Sequence, residues 1–112
     1  MGIIFEAPAA AKPAHNRISA DAFWDRFTNA EVVDYEVAAW GDPAATSAKQ
    51  KDAAKLRLFR STAAFNGYVV LGKSKVQSFL TSLESPMNGT TILAAGRAAA
   101  IYSAPITDDE AF

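Results

Sequence analysis

Three stretches of the chain carry the same punctuation: a Ser or Thr, a Glu or Gln three residues later, apolar residues at helical spacing, then a Gly or Pro stop. Thr28 and Glu31 begin the first of these, Ser47 and Gln50 the second, Ser74 and Gln77 the third. Each pair matches a capping box, in which the two side chains satisfy backbone N–H groups that a helix start leaves open. Gly41 and Pro43, Asn66-Gly67 and Pro86 supply the stops. A chain punctuated in this way is built mainly of helices of modest length.

The apolar positions support that reading. Ser19 suits an N-cap, and Phe23, Trp24 and Phe27 then share one face of a short helix, with Asp25 and Arg26 pointing away. In the second helix Val33, Val37 and Trp40 form the expected inward stripe, with Val32 and Tyr35 on another side. The third, over 48–65, places Leu56, Phe59 and Ala63 on one side and Leu58 and Phe65 nearly opposite, the pattern of a central helix covered on both sides. Val76, Phe79, Leu80 and Leu83 follow the i, i+3, i+4, i+7 rule, and a last short helix starts near Arg97 and ends before Pro105. Two stretches, 68–71 and 90–94, are short, rich in β-branched residues and bounded by turn formers; they are expected to pair as a small ribbon against the helices. The predicted fold is a mainly α domain over 18–106 with a minor two-stranded β element, preceded by an extended arm (1–17) and followed by an acidic tail (107–112). Its core is expected to join Phe23, Trp24, Phe27, Trp40, Leu56, Phe59, Phe79, Leu80 and Leu83.

Composition narrows the chemistry. With 112 residues there is room for one domain, and half of them are apolar, as in ordinary globular chains. No cysteine is present and His15 is the sole histidine, so thiolate or zinc sites and nucleophilic triads have no ready ingredients. No apolar run reaches the roughly 18–20 residues of a membrane span, and no basic and apolar leader opens the chain. Met1-Gly2 begins like a myristoylation signal, but Glu6 stands where Ser or Thr is required. Asn88-Gly89-Thr90 is read as a turn rather than a glycan acceptor. Neither a phosphate loop nor a carboxylate pair held by local spacing is visible, and the expectation is a protein that is not an enzyme and takes no cofactor or metal.

Charge is balanced overall, at −1, but unevenly spread. Six acids stand against Arg26 between Asp21 and Asp42, and seven bases against Asp52 between Lys49 and Lys75. Lys49, Arg57 and Arg60 fall within one sector of the third helix, where they can pair with the acidic second helix, grip a partner subunit or hold phosphates. The first two uses fit the slightly acidic chain better. The segment from Thr107 to Phe112 is expected to be solvated, or to offer Phe112 to a partner; it is similar to the acidic, Phe-terminated tips of single-stranded-DNA-binding proteins, whose strand-rich folds this chain is not expected to share.

The N-terminal seventeen residues pose their own question. Ile3, Ile4 and Phe5 are large and apolar, and the stretch that follows them contains Pro8 and Pro13, which favour extended backbone. An apolar hook on a stiff leash suits docking on a neighbouring subunit, by strand addition or by filling a groove.

The stretch from Phe23 to Thr28, the apolar triplet Val69 to Leu71 with the amphipathic helix after it, and the close from Arg97 to Ile101 resemble a group of small tail-region proteins of bacteriophages and prophages. The likeness runs over about 18–106. It implies a non-enzymatic structural component of a virion, in the tail, baseplate or fibre-attachment region, assembled in the bacterial host cytoplasm. Its partners would be other phage structural proteins or copies of itself, with no membrane involved. Ile3, Ile4, Phe5, Lys49, Arg57, Arg60 and Phe112 are the candidate partner-binding residues. The second reading is a nucleic-acid-binding accessory protein that uses the basic helix and the acidic tail; nucleic acid is the disfavoured partner.

Overall fold

The computed structural model describes residues 15–41 and 47–112. Within them the chain runs β1 (Ile18–Ser19), α1 (Ala20–Asp25), α2 (Asn29–Trp40), α3 (Ser47–Asn66), β2 (Tyr68–Val69), α4 (Ser74–Ser82) and α5 (Arg97–Ser103). This is the mainly helical domain with a small antiparallel β element that the sequence predicts.

The helix starts follow from their caps. The Ser19 hydroxyl accepts from the Ala22 N–H. Thr28 and Glu31 close a complete capping box at α2, where Glu31 N–H donates to Thr28 Oγ1 (3.1 Å) and Thr28 N–H to Glu31 Oε1 (2.8 Å). At α4 the expected box does not form. Lys73 is the N-cap, and Gln77 instead donates its side-chain amide to the Leu71 carbonyl. Gly67 ends α3 at φ +80°, a left-handed conformation that side-chain-bearing residues avoid. Gly41 closes α2 for another reason: its backbone is extended, but a Cβ there would lie 2.4 Å from the Val37 carbonyl oxygen.

α2 and α3 form an antiparallel hairpin. Tyr35 Oη, fully buried, donates to the Leu56 carbonyl, and burial raises the phenol pKa. α1 lies across the base of the hairpin through an aromatic cluster in which Phe23 and Trp24 contact Phe59, and Phe59 stacks on Phe79 of α4 with ring centroids 4.2 Å apart. Phe23, Phe27, Leu56, Leu80 and Leu83 are buried in one core, with Trp24, Phe59 and Phe79 packed half-buried against it.

Three further expectations are corrected. Trp40 is not in the core. With Val33 and Val37 it faces solvent, and α2 buries Glu31, Tyr35, Ala38 and Ala39 instead. A helix turns about 100° per residue, which puts 33, 37 and 40 almost opposite 31, 35 and 38. Two stripes therefore competed for the core, and the one holding two small alanines allows α3 to approach closely. In α3, Leu58 and Phe65 are likewise exposed rather than covered by a second layer.

The third correction concerns the ribbon. β2 pairs with β1 (Ile18 with Val69, Ser19 with Tyr68), not with 90–94. Asn88-Gly89, both at positive φ, make the expected turn and bring Met87 and Thr90 into a single bridge. Beyond it Ile92 and Leu93 sink into the core while both their N–H groups donate to the Leu83 carbonyl. That segment closes α4 instead of extending a sheet. On the other side of β1 lies the C-terminal segment: Ser19 N–H donates to the Glu110 carbonyl, Phe112 N–H to the Arg17 carbonyl, and Ile18 bridges Ala111. The backbone of the C-terminal segment and Glu110 are built into the fold, while Asp108, Asp109 and Phe112 stay exposed.

Candidate docking surface

Two ion pairs hold the frame on which the surface is displayed. Arg26, expected to point into solvent, has a side chain only 9% exposed. Its guanidinium donates to the Ile101 (2.7 Å), Ala104 (2.9 Å) and Pro105 (3.0 Å) carbonyls and forms a fork onto Glu110 (2.8 and 2.9 Å). One cation thus ties α1 to the end of α5 and to the C-terminal segment. The Arg26 hydrogen bonds hold the Glu110 carboxyl at about 2, against the opposing effect of partial desolvation. Arg97 makes a similar fork onto Glu31 (2.8 and 2.9 Å) and donates to the Arg26 carbonyl, and the Glu31 pKa is lowered chiefly by that side-chain bond. Sequence reasoning found Glu31 as a cap and missed the rest, because both pairs join residues more than 60 positions apart.

Of the residues singled out from sequence, Ile3, Ile4 and Phe5 lie outside the described residues, as does the Asp42–Pro43 part of the loop. Lys49 sits exposed in the first turns of α3, with its Nζ beside Gly89. Arg57 donates to the Ala39 carbonyl (2.6 Å) and lies over the Trp40 ring at 5.3 Å. Arg60 pairs with Glu36 and lies over the Trp24 ring at 5.2 Å. Arg57 is engaged on α2 through a backbone carbonyl and a ring, and Arg60 on α2 and α1, with an ion pair to Glu36 of the acidic helix. Phe112 packs on Tyr68 and over Gly67, with the Arg17 guanidinium within 5.4 Å of both rings. His15 meets Asp108 at 2.7 Å on the surface.

What remains is apolar and exposed. Val33, Val37 and Trp40 make one stripe along α2, with Trp40 69% exposed; Leu58 and Phe65, two turns apart, make another on α3, with Phe65 91% exposed. Each stripe lies on the side of its helix turned away from the core. Burying one such side chain is worth roughly 1.5–3 kcal/mol, which makes grouped exposed apolar residues on a small domain a candidate docking surface. The rims are charged: Arg57 braces Trp40 from one side, and the Arg60–Glu36 pair lies between the helices.

Chemistry of other kinds finds little footing among the described residues. No group of three or more His, Asp or Glu side chains is placed to hold a metal ion, and no helix is long and apolar enough to cross a membrane. The shifted carboxylates, Glu31 and Glu110, are locked in forks with arginine. Comparison with protein-family models, with curated proteins and with solved structures finds no match to this chain.

Proposed function

We propose that this chain is a non-enzymatic structural component of a bacteriophage particle, in the tail, baseplate or fibre-attachment region, that docks on neighbouring subunits through its N-terminal arm and its exposed helix faces. The observation that carries the docking part of this reading is the pair of apolar stripes on α2 and α3 turned away from the core. The virion part is supported by the resemblance of 18–106 to small phage tail-region proteins. The engagement of Arg57 and Arg60 within the hairpin makes a phosphate-gripping role for the basic helix the poorer alternative.

Particles purified from the phage or prophage that encodes the chain test this directly. Quantitative mass spectrometry should find the full-length chain at a fixed ratio to tail proteins. A variant lacking residues 1–12, or one carrying Val37→Asp with Phe65→Asp, should remain folded yet fall at least tenfold in the particle. Absence of the wild-type chain from particles, or wild-type incorporation of both variants, overturns the reading.

A further inference from the structure

The fold contains a receptor that fits the chain's own hook. Between α3, β2 and α4 lies a pocket of about 270 Å³, with Phe59, Val69, Val70 and Val76 along its apolar wall and Lys73 and Lys75 at its rim. A cavity of roughly 150 Å³ takes a benzene ring, so this one admits a phenylalanine ring together with an aliphatic neighbour. Neither lysine is ion-paired among the described residues. β2, which runs along the pocket, is the outer strand of the ribbon: β1 lies between it and the C-terminal segment.

The hook has the complementary chemistry in the matching order. Ile3, Ile4 and Phe5 are three β-prone apolar anchors, and Glu6 follows them directly. Apolar side chains can enter the pocket, backbone can add along β2, and the Glu6 carboxylate then stands within reach of the two rim ammonium groups. We propose that residues Ile3–Glu6 of one copy occupy the pocket between α3, β2 and α4 of a second copy.

The leash decides between a second copy and the same one. The described chain begins at His15, which lines a neighbouring groove with Leu71, Tyr102 and Ile106, and the two cavities share Val70. The arm's own pocket therefore adjoins its root. Nine residues separate the hook from His15, Pro8 and Pro13 among them. At about 3.1 Å per residue, nine residues reach up to roughly 28 Å. Returning the hook to a pocket beside its own root would require a proline-stiffened sequence to double back, which favours delivery to a neighbouring copy. Repeated from copy to copy the contact builds a ring or a filament; exchanged reciprocally between two copies it closes a two-fold pair.

The inference rests on the docking reading above and specifies its contact. The chain has no native cysteine, which makes disulfide trapping clean. Full-length Ile4→Cys chains are mixed under mild oxidation with a longer, tagged chain carrying Thr62→Cys; Thr62 is exposed and lines the pocket. Non-reducing gels should show the mixed dimer at several times the yield obtained with Ala99→Cys, an exposed site on α5 outside the pocket. The double variant Ile4→Cys with Thr62→Cys in one chain should give linked dimers for a reciprocal exchange, or a ladder of linked species for a ring or filament. Adding Lys73→Glu and Lys75→Glu to the Thr62→Cys chain should at least halve the yield, and Glu6→Lys on the hook should restore it. A yield no higher than the Ala99→Cys control overturns the proposal, as does a double variant that closes only within one chain, or a charge swap without rescue. A chain absent from particles that still cross-links removes the virion reading alone; a chain present in particles that does not cross-link removes this contact alone.

Discussion

Replacing Arg26 by methionine keeps an apolar stem of similar length and removes the guanidinium that joins α1, the end of α5 and the C-terminal segment. Five hydrogen bonds disappear, three to carbonyls and two to Glu110. At roughly 1.5–3 kcal/mol each, their simple sum would rival the whole stability of a domain this size, so water must recover most of the loss. The Ala104 and Pro105 carbonyls are at the surface and are rehydrated readily. Glu110, whose side chain is 23% exposed, keeps its bonds to Thr107 and gains water. The site is thus intermediate between a buried pair, whose breaking costs about 3–5 kcal/mol, and a surface pair worth about 0–1 kcal/mol. Arg26→Met should cost about 3 kcal/mol.

Unfolding entropy of about 2.1 cal/mol/K per residue over the 112-residue chain turns that loss into a Tm decrease of about 13 °C. Glu110→Gln leaves a neutral acceptor in place and should cost about 1–1.5 kcal/mol alone, but under about 0.5 kcal/mol in the Arg26→Met background, a coupling of roughly 1 kcal/mol. Thermal and urea unfolding of the four proteins at pH 7 measures the cycle. A Tm decrease below about 4 °C for Arg26→Met, or additive effects within about 0.3 kcal/mol, refutes the argument that this arginine fastens the C-terminal segment.

The same pair makes the fold acid-sensitive in a defined window. Glu110 is held at about 2, below its ordinary 4.5, so its contribution is complete above about pH 4.5 and is lost as the pH falls towards 2; Glu31, also lowered, acts in the same direction. Tm of the wild type should therefore fall between pH 5 and pH 2, and less steeply in Arg26→Met, as followed by circular dichroism; a flat wild-type profile refutes the pairing. In the core, Leu80→Ala should cost about 2–5 kcal/mol because Leu80 is fully buried, and Phe79→Ala should cost less than a fully buried phenylalanine because one side of its ring reaches solvent. Urea titration of both variants ranks them, and a Phe79→Ala loss well above that of Leu80→Ala contradicts the packing described.

Local rules carried a large part of this protein. A helix start is decided by residues three apart, and the Thr28–Glu31 box, the Ser19 cap and the Gly67 stop are contacts of that kind, readable without any tertiary knowledge. The apolar spacing of Phe23, Phe27, Leu80 and Leu83 likewise placed them in the core, because a single stripe on a helix leaves no alternative face to bury. Where two stripes compete, spacing is silent. α2 offers both Val33–Val37–Trp40 and Tyr35–Ala38–Ala39, and only the approach of α3, with Tyr35 bonded to the Leu56 carbonyl, turns the first outward and makes it a candidate docking face. Long-range pairing was equally out of reach. Nothing within a few residues of Tyr68–Val69 says that its partner is Ile18–Ser19 rather than the β-prone 90–94, and nothing near Arg26 or Arg97 announces Glu110 or Glu31. Charge and hydropathy along the chain report what a residue can do; which partner it meets is decided by chain closure over tens of residues, and that belongs to the tertiary structure.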